Sequence, residues 1–138
     1  MFKLFSISEA TRLLPVIEAH VTALQGASRD ASALKGRLAT IAALAPAERT
    51  QRQVEAHNLA HELEFVVRSA HESKAELDRL GIELTNLEHG AVAIPSNLGG
   101  EVVALTWCRG QDGITHYRRL TGDASPRPLP AKQHDKRS

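Results

Sequence analysis

Two long stretches with an apolar residue at every third or fourth position, parted by one interruption at Ala45–Pro46, constrain this chain more than any other feature. In the first, Ile17, Leu24, Ala31, Leu38 and Ala45 recur every seven residues, with His20, Ala27, Leu34 and Ile41 three positions after the first four. In the second, Ala56, Leu59, Leu63, Val66, Ala70, Ser73, Leu77 and Leu80 alternate steps of three and four. So narrow a stripe has to be buried against another element. Two helices of similar length with a short connection are antiparallel neighbours, so residues 16–80 form a hairpin about 45 Å long at 1.5 Å per residue.

The ends of these helices are also written in the sequence. Ser6 and Glu9 have the spacing of a capping box, with Phe5 placed to staple onto Ala10. Pro15 lies inside the helical pattern, where it removes one hydrogen bond and crowds the preceding turn, so a kink is expected between Leu13 and Ile17. Pro46 suits the first position of a second helix, Glu48 favours that helix's positive end, and Gly81 stops it.

Beyond Gly81 the period falls from 3.6 to about 2. An apolar run over 91–94 is closed by Pro95, a turn covers 96–100, a β-branched run covers 101–108, a second turn covers 109–113, and a third run covers 114–120. The expected fold is therefore α+β: a long antiparallel α-helical hairpin over 6–80, then a small three-stranded antiparallel meander over 81–123, in one domain over 1–123. Pro126, Pro128, Pro130 and a charged end make 124–138 a flexible tail. With no apolar run near the roughly 20 residues that span a bilayer and no long apolar core at the start, the expected compartment is the cytoplasm. Cys108 is the single cysteine, which excludes an internal disulfide.

The opening from Phe5 to Pro15 follows the pattern F-[ST]-x-x-E-A-x-x-L-L-P. Gly81-Ile82-Glu83-Leu84 comes after the long helices, Gly90 through Pro95 is similar to G-L-V-D-F-P, and Gly100-Glu101-Val102 with Leu105-Thr106-Trp107 is similar to G-R-x-V-x-L-C-W. In these motifs the chain resembles the bacterial domain-of-unknown-function family 2203. The resemblance implies the architecture and no activity. Two departures bear on function: Ala93 stands where the pattern has an acidic residue, and Tyr117-Arg118-Arg119 stands where it has Trp-His-Glu. A polar site built on those positions would be lost or replaced here.

Among chemistry-bearing residues the sharpest constellation is His57, His61 and Glu64, with His71 and Arg68 on the same helix face. Histidines four apart differ by about 40° around a helix and can chelate one ion from adjacent turns. The bland alternative is a solvated face opposite the Leu59–Ala70 seam, with Glu64 and Arg68 an ordinary i, i+4 pair, and it outweighs the metal reading because HxxxH here lacks the Glu of a zinc protease. His20, at a seam position, reads as a buried neutral histidine hydrogen-bonded to a neighbour. Cys108, after Trp107, reads as a small thiol rather than a nucleophile, although His116 lies on the neighbouring strand. Arg109, Arg118 and Arg119 form a possible basic patch, yet 17 Lys and Arg against 16 Asp and Glu, spread along the chain, leave too little uncompensated charge for nucleic acid.

These features favour a non-enzymatic structural or protein-interaction module that self-associates as a homo-oligomer or binds another protein, because the specific features are packing features. Two alternatives stand beside it: a metal or small-ligand binding protein using the His57/His61/Glu64 face with a divalent metal, and an RNA- or ribosome-associated factor.

Overall fold

The computed structural model describes residues 3–130. Helix α1 runs from Ile7 to Ala42 and carries Pro15 without interruption. Its start has the geometry expected of a capping box: Ser6 Oγ accepts from the Glu9 backbone N–H at 3.0 Å, and Glu9 Oε1 accepts from the Ser6 N–H at 2.9 Å. The second helix is divided. A short α2 (Pro46–Gln51) ends at Arg52, whose ψ of 12° leaves the helical range, and α3 (Gln53–Leu80) resumes at once. The single helix expected over 46–80 is thus two, because Arg52 turns the chain while its guanidinium is held by Glu55 one turn ahead. Gly81 closes α3 at φ 80°, with its N–H on Asp78 O and the Ile82 N–H on Leu77 O, and Ile82 buried behind it.

The sheet has five strands rather than three, in sequential antiparallel order: β1 (Glu83–Asn86), β2 (Ala91–Leu98), β3 (Glu101–Cys108), β4 (His116–Arg119) and β5 (Arg127–Pro128). Three differences from the expected meander have physical causes. First, β1 adds itself to the edge of β2 through Leu84, which packs into the core although the segment Glu83–Asn86 is mostly polar. Second, Pro95 does not end β2; it pairs with Ala104, and the turn shrinks to Gly99–Gly100. The Pro95 carbonyl accepts from the Phe5 N–H at 2.8 Å, on the side away from β3, so its nitrogen also faces that edge and the β2–β3 ladder loses no donor. Third, the first part of the expected tail is folded: β5 pairs with β4, the Leu129 N–H donates to Thr115 O, and Leu129 is buried. The rest of that tail, 131–138, lies outside the described residues.

All the helical cover lies on one side of the sheet. Ile7, Ala10, Leu14, Ile17, Val21 and Leu24 of α1, with Leu77 of α3, pack on the face built from Val92, Ile94, Leu105 and Trp107. A smaller cluster, Leu34, Ile41 and Leu59 with Leu38, Leu63 and Val66 beside them, holds the far end of the hairpin together. The α3 seam falls where its periodicity places it. On α1 the seam rotates, because its first half must face both α3 and the sheet. Val21 is fully buried, and His20, expected in the core, is half-exposed.

Candidate functional site

Directly opposed residues in a β-ladder share a face, so the register divides the sheet cleanly. Val92, Ile94 and Ser96 oppose Trp107, Leu105 and Val103 and look toward the helices. The other face carries Glu83, Ala93, Thr106 and His116 in one row across four strands, and Pro95, Ala104 and Arg118 in the next. Asn97 and Val102 form a third row, beyond which stands Leu120.

Part of this outer face is a shallow, mainly apolar depression. Ala93 and Ala104 form its floor, buried beneath larger neighbours, and Pro95, Val102 and Leu120 complete a hollow of about 250 Å3 with Glu83 at its rim. Leu120 is 61% exposed and Val102 37%, leaving aliphatic side chains open to solvent beside the buried alanine floor. One face therefore offers both a hollow and a knob. Its charge is divided: acidic Glu83 stands on the β1 side, and His116 and Arg118 on the β4 side.

The basic residues of the sheet separate accordingly. Arg119 lies on the inner row opposite Val103, where its Nε donates to Glu101 Oε2 at 2.8 Å, and Tyr117 packs against the main core. Arg118 stands on the outer face, and Arg109 at the start of the β3–β4 turn reaches instead to Gln25 of α1. These arginines do not form one patch. Cys108 is half-buried on the outer face, two residues from the Thr106–His116 pair, and His116 Nδ1 is engaged by Thr115 Oγ1 at 2.9 Å.

On α3, His57 and His61 lie edge to face with ring centroids 4.6 Å apart, and His61 Nδ1 is 4.0 Å from Glu64 Oε1. All three are exposed, as is His71, which borders a separate groove with Glu64 and Arg68. Among the described residues, no group of three or more His, Cys, Asp or Glu side chains is placed to hold a metal ion. Among the described residues Glu64 forms no ion pair with Arg68.

Sequence periodicity located the β3 run but not the outer face, since the pairing partners of Ala93 and Ala104 are set by register. The signal available was the alternation in Val92-Ala93-Ile94 and Val103-Ala104-Leu105, where small residues sit between large ones.

Among the described residues no helix is long and apolar enough to cross a membrane. No curated protein and no solved structure matches the chain. A family model does match, over residues 3–128, a span that takes in all three helices and all five strands. The chain belongs to the family described as an uncharacterised conserved protein, DUF2203.

Proposed function

We propose that this protein is a non-enzymatic interaction module that self-associates through the outer face of its sheet. The observation that carries it is the apolar hollow of Ala93, Pro95 and Ala104 with exposed Leu120 and Val102 beside it. A twofold contact is self-complementary, so a surface bearing both a hollow and a knob can satisfy itself.

The charges select one arrangement. Two sheets packed face to face keep their strands within about 30° of each other. With the twofold axis along the strands, the β1 edge of one copy lies over the β4 edge of the other, and Glu83 meets His116 and Arg118. With the axis across the strands, β1 lies over β1 and β4 over β4, so each charged edge meets an edge of its own sign, which is repulsive. The first arrangement is favoured at both edges.

Ala93 and Arg118, where the family pattern has an acidic residue and a histidine, both lie on this face. In this chain the acid is replaced by part of an apolar floor, which supports contact rather than catalysis. We place the protein in the cytoplasm, where Cys108 would remain a thiol.

Light scattering and sedimentation at micromolar concentration test this. The wild-type chain is expected to be a dimer; Glu83→Arg and Arg118→Glu each weaken it, and the double substitution restores it. A monomeric wild type, or single substitutions without effect on a dimer, would overturn the proposal.

A further inference from the structure

At the opposite end of the β2–β3 pair from Leu120, three segments converge on a groove of about 630 Å3 lined by Gln25, Ser28, Arg29, Leu87, Glu88 and Arg109. Its centre is the Gln25 amide. Gln25 Nε2 donates to the carbonyls of Leu87 at 2.9 Å and Glu88 at 3.3 Å, and Gln25 Oε1 accepts from Arg109 Nη1 at 2.7 Å. Donor faces acceptor at every contact, so the amide orientation follows from the network itself. Arg109 is tied a second time through its backbone N–H to Gly90 O.

Arg109 is thereby held in place with only one side-chain donor engaged, and a guanidinium has five. Arg29 lies one helical turn beyond Gln25 on the same face. Its Nη2 folds over Gly26, where even a Cβ would approach within 3.8 Å. Among the described residues neither arginine has a carboxylate within ion-pair distance. Glu88 also lines the groove, and its carboxylate is ion-paired with neither arginine.

We propose that this groove binds a phosphate group, such as that of a phosphate monoester. Two guanidinium forks supply planar, bidentate donors suited to a tetrahedral dianion, Ser28 in the lining brings one further hydroxyl donor, and Arg109 needs no reordering to engage it. Glu88 is the built-in opponent of such an anion, so its removal strengthens binding.

The test titrates inorganic phosphate into the full-length protein at constant ionic strength, following the Gln25 side-chain amide by NMR, with chloride and acetate as controls. Phosphate is expected to give a saturable shift that neither control reproduces. Arg29→Gln, on an exposed helix position, should weaken binding at least about tenfold, the loss of one guanidinium's charge-assisted hydrogen bonds, while Glu88→Gln should tighten it. Absence of saturation, an equal response to acetate or chloride, an unchanged affinity in Arg29→Gln, or no tightening in Glu88→Gln would each overturn the proposal.

Discussion

Replacing Gly90 with Ala probes the junction on which both the sheet and the Gln25 network depend. Gly90 is buried at φ 66°, and an added Cβ would stand 2.9 Å from Arg109 Cβ, 3.0 Å from Gln25 Nε2 and 3.1 Å from Val21 Cγ1. Two costs follow: about 1 kcal/mol for placing a Cβ in the left-handed region, and about 1–3 kcal/mol for overpacking against the Arg109 side chain in the β3–β4 turn, a hydrogen-bonded amide and a core valine. The reduced freedom of the unfolded chain returns about 0.4–1 kcal/mol. The net is a destabilisation of about 1–4 kcal/mol, or a fall in Tm of about 3–12 °C for a chain of this size. Gly99 provides the control, since its φ of 61° is nearly the same but its Cβ would meet nothing within 4 Å. Gly99→Ala should therefore carry the conformational cost alone. Urea unfolding of both variants, with the m-value checked for constancy, isolates the contact cost as their difference. Equal losses of stability would refute the claim that Gly90 is required by close approach rather than by backbone conformation.

Other consequences are accessible to the same measurements. Ser96 is fully buried and its hydroxyl has no partner among the described residues, so Ser96→Ala should raise stability by about 1 kcal/mol; a loss on urea unfolding would imply a partner for that hydroxyl. Leu129→Ala should cost about 2 kcal/mol if the last strand belongs to the fold, and an unchanged midpoint would return that segment to the status of a tail. The Ser6 backbone N–H and the Lys3 charge hold the Glu9 carboxyl below its ordinary value, so its contribution is present above the ordinary glutamate pKa and disappears as the pH falls through the lowered one. Glu9→Gln should thus flatten the acid limb of stability between about pH 6 and pH 3, and an unchanged slope would remove Glu9 from that account. Hydrogen exchange should find the weakest helical protection around residues 42–53, where only the small Leu34–Ile41–Leu59 cluster holds the hairpin, and the strongest near Leu77.

The amino-acid sequence by itself determined the elements whose signals are local. The Ser6–Glu9 box, the three-four spacing of the α3 seam and the Gly81 stop each act within one or two turns of helix, and each stands where its pattern places it. Tertiary structure decided everything that depended on which segments meet. Pro95 reads as a strand end until Phe5 is seen at its free edge; Leu129 reads as part of a tail until Thr115 offers its carbonyl; His20 reads as core until the sheet draws Val21 inward in its place. The same holds for both candidate surfaces. Glu83 is separated from Arg118, and Gln25 from Arg109, by tens of residues. Only strand register and helix-on-sheet packing bring these side chains to one face or one groove, and neither leaves a periodic trace in the residues that meet there.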